Sequence, residues 1–340
     1  MSDQCMKKMI DVGILDYTPL NYTKYDEQLT ARIIREMLSE AVYGADLFSH
    51  ILFNCRHIRC FKEEYHFDEK DFQLLIIAGS PLPTTENSRE LQKALAQIES
   101  LLSSVPTLGI CFGLHAIAKV VGNESKKIIQ FEIGPREVLL YEDIDEVGKA
   151  GDILLFPVNH AYKISISNGN DKIRVLATSN GGIQIVDATE CFGGNPVIGF
   201  QFHPEFAASH NGWKTFKRIY EATLMRIIND TVEDVSLEPI ISNLKNPVLK
   251  RLKETIADPN QLIGKKLTHE QRDLLMSPFH NIDYRPKLLG KTESVRTYEE
   301  LKKNSCAAVR YFLKKAILRK DTDSFRKRKR ENERQLKLSI

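Results

Sequence analysis

The chain has 340 residues, 42% of them hydrophobic and 27% charged, with a formal net charge of +3. This is the composition of a soluble globular protein with room for about two domains. No apolar run approaches the roughly 18 residues of a membrane helix. The first residues, MSDQCMKKMIDVGILDY, lack the apolar stretch of an export signal, and the six irregularly spaced cysteines do not form a disulfide framework. The expectation is reduced thiols, a cytoplasmic location and no membrane partner. The small net charge conceals a division. Residues 231–340 hold 25 Lys+Arg against 15 Asp+Glu, a local +10, whereas residues 1–230 hold 23 against 30, a local −7. Such a shift divides the chain into two units, 1–230 and a basic extension, 231–340.

Residues 10–17, IDVGILDY, read as a strand, and Leu29, Ile33, Met37 and Ala41 mark one face of a helix over 27–41. FQLLIIAGSP (72–81) is a short apolar run stopped by turn residues, the pattern of a strand buried on both faces. ENSRELQKALAQIESLLSS (86–104) is an amphipathic helix with Leu91, Leu95, Ile98 and Leu102 on one stripe. VPTLGI (105–110) follows as a strand and FGLHAIAKVV (112–121) as a helix ended by Gly122. Further strand-like runs are EVLLY, DILLFPV, KIRVLA, GIQIVD and VIGFQF. Alternating strands and helices in the first half predict an α/β fold, an open, mainly parallel, doubly wound sheet with helices on both faces; the clustered later strands predict an antiparallel addition. Beyond about residue 230 the strand signals end. Thr268–Gln271 and Thr297–Glu300 each fit a capping box, the second opening a helix through CAAVRYFLKKAILRK, and residues 320–336 form a polar tail. The extension is therefore read as mostly helical.

Gly109-Ile110-Cys111-Phe112-Gly113 places a cysteine at a strand-to-helix junction in the form G-x-C-x-G. The corresponding serine elbow of hydrolases raises its nucleophile above the sheet on a turn too tight for larger neighbours. A helix N-terminus beneath the thiol favours the thiolate, and the Phe112 N–H is placed to meet an oxyanion. A buried structural cysteine between two packing glycines is the rival reading. Within VIGFQFHPEF, His203 and Glu205 follow a strand two residues apart, the spacing that puts side chains on one side of a strand. An imidazole beside a carboxylate reads as a base with its orienting group. Cys55 and Cys60 flank His57 without zinc-site spacing and are assigned to core or strand, so no metal and no cofactor are expected.

LGICFGLHAIA followed by GFQFHPEF resembles the class I glutamine amidotransferases, a family with a Cys-His-Glu triad and a flavodoxin-like fold. FQLLIIAGSP resembles the family's earlier strand and oxyanion turn, FEIGPREV its E-x-G segment, and VNHAYKI the N-H-G-Y/F segment of the carbamoyl-phosphate synthetase small subunit. The resemblance spans roughly residues 8–225, with wording closest to stand-alone γ-glutamyl peptidase-like members. It implies Cys111 as nucleophile, His203 as acid and base, and Glu205 as its orienter. The oxyanion hole would be formed by Phe112 and Ser80 beside Gly79, with glutamine or a γ-glutamyl small molecule as substrate. His115, Asn159, His160 and Tyr162 are the candidate substrate-lining residues. Two positions depart from the family: Gly79-Ser80-Pro81 replaces Gly-Gly-Pro, and His115 stands where the family has a substrate-contacting glutamine. An imidazole lacks the paired donor and acceptor of a carboxamide.

The extension contains no G-x-x-x-x-G-K-S/T loop, so an ammonia acceptor would be a separate synthetase protein. Arg326–Arg330, RKRKR, invites nucleic-acid contact, but few aromatics interleave there and a solvated helix is the preferred reading. The leading function is cysteine-dependent hydrolysis of glutamine or a γ-glutamyl amide. The rivals are an ammonia-donating subunit of a two-protein synthetase and a catalytically weak regulatory or binding protein on the same fold.

Overall fold

The computed structural model describes residues 7–20, 22, 27–62, 68–85, 87–166, 173–228, 268, 271, 275–276 and 298–317. Among the described residues, nine strands form one sheet: β1 (Lys8–Asp16), β2 (Ile51–Arg59), β3 (Leu74–Ile77), β4 (Thr107–Ile110), β5 (Glu124–Leu140), β6 (Ile153–Ser165), β7 (Arg174–Ser179), β8 (Gly182–Asp187) and β9 (Val197–Phe200). Their order is β2-β1-β3-β4-β9-β8-β7-β5-β6. The five strands from β2 to β9 pair in parallel, and the four from β8 to β6 continue antiparallel. The sheet is thus mixed, with its parallel half at the positions read as buried strands. β3, β4 and β9 are buried at all four residues, which is why each reads as a continuous apolar run.

Helices α1 (Glu27–Val42), α2 (Arg89–Leu102), α3 (Phe112–Val120), α4 (Pro204–Ala208) and α5 (His210–Ile228) follow the strands, and a further helix, α6, covers residues 298–317. Two apolar clusters separate the faces. One joins Ile10, Val12 and Ile14 of β1 to Met37 and Leu38 of α1 and to Val309, Phe312 and Leu313 of α6. The other joins Leu75 and Ile77 of β3 to Leu91 and Ile98 of α2 and to Leu114 and Ile117 of α3. α2 opens on Ser88, whose Oγ accepts from the Leu91 N–H at 3.1 Å. α3 ends at Gly122 with φ 84°, a left-handed stop that glycine adopts at no steric cost.

The periodicity reading passes over β2, because an edge strand alternates exposed and half-buried side chains without an apolar run. It also catches only the end of β5, whose first half is polar. The Thr268 capping box is formed: Thr268 N–H donates to Gln271 Oε1 at 3.0 Å, and Gln271 N–H to Thr268 Oγ1 at 3.2 Å. Thr297 and the basic run Arg326–Arg330 lie outside the described residues. α6, from the basic extension, packs into the first cluster and is bound across it. Asn304 Nδ2 donates to the Leu155 carbonyl at 3.1 Å, Lys302 pairs with Glu40 at 2.8 Å, and Arg310 with Glu146 at 3.3 Å. Lys314 and Lys315 pair with Asp145 and Asp187. Among the described residues no helix is long and apolar enough to cross a membrane.

Candidate active site

The chain turns from β4 into α3 at Cys111, which holds φ 51° and ψ −100°. A non-glycine residue there costs about 1–3 kcal/mol of backbone strain, and the surroundings enforce it. Cys111 N–H donates to the Phe200 carbonyl at 2.7 Å, and its own carbonyl accepts from the His115 N–H at 3.1 Å. The flanking glycines serve close approach. A Cβ on Gly109 would lie 2.5 Å from the Gly113 carbonyl carbon, and one on Gly113 would lie 2.6 Å from the Ile77 carbonyl oxygen. Glycine at both positions therefore lets α3 begin directly against β4 and β3, which lifts the thiol above the sheet edge.

His203 arrives from β9. Its N–H donates to the Pro157 carbonyl at 2.8 Å, and its ring stacks on Phe206 at 4.7 Å between centroids. Glu205 lies in the first turn of α4, not on a continuing strand, and this turn brings Oε1 to 2.7 Å from His203 Nδ1. Both residues are 6% exposed. Burial disfavours the imidazolium, but the Glu205 carboxylate and the Cys111 thiol beside it outweigh that cost and push the His203 pKa up to about 10. With Nδ1 committed to Glu205, Nε2 is the nitrogen left for the thiol.

Gly79 follows β3 on the same edge. A Cβ there would meet His203 Cε1 at 3.0 Å and Cys111 Cβ at 3.7 Å, so this position sits against both side chains. Gly79→Ala is expected to shift the imidazole by a few tenths of an ångström, lowering kcat about tenfold with an unchanged melting temperature, since small misplacements weaken reacting geometry steeply. Steady-state kinetics beside a thermal melt check this. Ser80 is tied by its hydroxyl, which donates to the Tyr17 carbonyl at 3.1 Å and accepts from the Leu82 N–H at 3.0 Å. The backbone N–H groups of Ser80 and Phe112 have no acceptor among the described residues.

The four predicted lining residues divide. The Asn159 carbonyl is 4.0 Å from Cys111 Sγ, so β6 passes beside the thiol. The Tyr162 ring stands edge-on to His115 at 6.5 Å. His160 is buried and faces β5: Nε2 lies 3.0 Å from Glu132 Oε2 and Nδ1 2.9 Å from the Tyr162 carbonyl oxygen. Burial would raise the Glu132 carboxyl, yet His160 and Arg136 hold it below its ordinary value. His115 is 2% exposed and bonds Ser125 Oγ through Nδ1 at 2.8 Å. Burial, with His160 nearby, pushes its pKa down to about 4, so this imidazole is neutral. Gln201, which sequence reasoning missed, places Nε2 3.7 Å from Cys111 Sγ. Its signal was available, since it stands two residues before His203 in the quoted run GFQFHPEF.

Burial pushes the thiols of Cys55, Cys60 and Cys306 up to about 11, 12 and 11. Among the described residues no group of histidine, cysteine and carboxylate side chains is arranged to hold a metal ion.

A sequence profile of the family described as glutamine amidotransferase class-I matches residues 45–222. The chain is 31% identical over 155 residues to a glutamine-hydrolyzing GMP synthase subunit of Sulfurisphaera tokodaii, a match that covers 45% of this chain and 78% of that protein. It is 28% identical over 178 residues to a glutamine-hydrolyzing GMP synthase of Borreliella burgdorferi, covering 50% of this chain and 32% of the other. A glutamine amidotransferase structure from Methylobacillus flagellatus superposes with a TM-score of 0.51 at 16% identity, over 89% of this chain and 96% of that one, a likeness of fold.

Proposed function

This chain belongs to the class I glutamine amidotransferase family, and on that premise we propose that it hydrolyses the side-chain amide of glutamine or of a γ-glutamyl compound through a thioester on Cys111. In this reading the thiolate attacks the amide carbon, and the Phe112 and Ser80 N–H groups hold the oxygen as it gains charge. His203 gives its Nε2 proton to the departing ammonia or amine as the C–N bond breaks. It then takes a proton from water, whose oxygen attacks the thioester; the C–S bond breaks, freeing the acid and restoring the thiol. Glu205 holds the imidazole in the required tautomer. The observation that carries the reading is the 2.7 Å Glu205–His203 contact set against a cysteine on a strained elbow. Residues 1–230 carry this chemistry in our assignment, and 231–340 form an extension from which α6 returns to the core.

Release of ammonia and glutamate from L-glutamine, run beside a panel of γ-glutamyl amides, tests this. Production of the acid from at least one compound is expected. No release from any of them, together with a thiol that ignores a glutamine-like electrophile, would overturn it. The pH profile has a defined sign. Because His203 is raised, its proton remains available through neutrality, and kcat/KM is expected to fall only as pH rises through about 10. An alkaline limb near the ordinary histidine value, about 6.5, would contradict the arrangement.

The relatives named as a glutamine-hydrolyzing part of GMP synthase support a second reading, in which the ammonia passes to a separate synthetase protein. Its signature is a glutaminase rate that rises severalfold when that protein is added.

A further inference from the structure

We propose that Gln201 is a positioning residue for the Cys111 thiolate and that His115 determines which end of the Gln201 carboxamide faces the sulfur. This rests on the reading of Cys111 as nucleophile. Gln201 is fully buried, and its backbone is fixed by the bond from its N–H to the Gln184 carbonyl at 2.9 Å. Its Nε2 lies 3.7 Å from Sγ, within reach for a hydrogen bond to sulfur, and its buried Oε1 has no partner of good geometry. One turn along α3, His115 presents the complementary deficit. Nδ1 is bonded to Ser125 Oγ at 2.8 Å, while the buried Nε2 lacks a well-formed bond.

A neutral imidazole has one donor and one acceptor. With the Ser125 hydroxyl donating to Nδ1, the proton sits on Nε2 and seeks an acceptor. The Gln201 side chain and the Tyr162 backbone are the neighbours that favour a proton on this ring, whereas His160 and Lys119 oppose its charge. The two ends of a carboxamide have the same shape, so electrostatics alone decides its orientation. Oε1 towards His115 leaves Nε2–H towards the thiolate. The reverse would set a carbonyl oxygen against a thiolate and an N–H against an N–H. The sulfur thereby has Gln201 Nε2 at 3.7 Å and the Asn159 carbonyl at 4.0 Å, with His203 also beside it. The departure at position 115 thus takes on a role behind the nucleophile, acting through another side chain.

The test is the rate at which iodoacetamide alkylates Cys111 at pH 7, read by mass spectrometry of its peptide, beside kcat, KM and a thermal melt. Gln201→Leu is expected to slow alkylation and kcat about tenfold, the size of one hydrogen bond to a charged group, with KM changed less than about twofold. Gln201→Glu keeps the shape but turns oxygen to the sulfur, and is expected to lose more. His115→Phe should lose about threefold, a share of the same bond, because the amide is then free to reverse. His115→Gln, which restores an N–H donor, should stay within twofold of wild type. Alkylation and kcat within twofold in both Gln201→Leu and His115→Phe would overturn the proposal, as would a loss confined to KM. If Gln201→Leu fails to fold, unchanged alkylation in Gln201→Glu overturns it alone. A slow His115→Gln variant removes the His115 half. A wild type that alkylates at Cys111 but turns over no γ-glutamyl compound sinks the substrate reading and leaves this one decided by the variants.

Discussion

Cys111→Ala is expected to lower ammonia release from glutamine by roughly 10⁴- to 10⁶-fold, the scale on which removal of a nucleophile acts in hydrolases. The size follows from the division of labour at the elbow. His203, Glu205 and the two N–H groups all address an intermediate that forms only on the sulfur, so without it their contributions do not sum to a partial rate. Alanine keeps the backbone penalty of the left-handed turn, so the melting temperature should stay near that of wild type. Glycine at the same position would relieve the strain, and a Cys111→Gly variant is expected to melt higher than Cys111→Ala. A Cys111→Ala protein retaining more than a tenth of the wild-type rate would mean that another group carries the reaction.

The largest stability effect is expected in the core, at α6. Phe312 of α6 is fully buried in the cluster shared by β1 and α1. Phe312→Ala should cost about 3–5 kcal/mol, the usual range for emptying a core phenylalanine site. The charged pairs along the same helix are a weaker attachment. Lys314 is 32% exposed and its partner Asp145 63%, and such pairs contribute about 0–1 kcal/mol each. Lys314→Ala is therefore expected to shift the urea midpoint little, where Phe312→Ala shifts it strongly. Equal effects from the two variants would mean that α6 is held by charge and is peripheral to the core.

The two motifs were legible because their chemistry is local. Gly109, Cys111 and Gly113 are constrained by contacts within one strand-turn-helix step, and His203 and Glu205 by one helical turn. What the sequence concealed depends on distant chain. β2 is an edge strand whose alternation hides it. Gln201 acquires meaning only where β9 passes Cys111, 90 positions earlier. His115 was placed by resemblance on the wall of a pocket, whereas its burial and its bond to Ser125 arise from β5. The basic excess of residues 231–340 suggested a unit apart, yet α6 is apolar on the face it sets against the sheet, and the charge count averages that face away.

α6 also fixes an order of events during synthesis. One face of the sheet is completed by residues 298–317, which begin 70 positions after the end of α5 at Ile228. The ribosome must therefore add residues 229–317 while Val12, Ile14, Met37 and their neighbours await their cover. At about 5–20 residues per second that interval lasts roughly 5 to 18 seconds. The nascent chain is expected to spend it as a client of the cell's holding chaperones, and a stop codon placed ahead of α6 would make that dependence permanent.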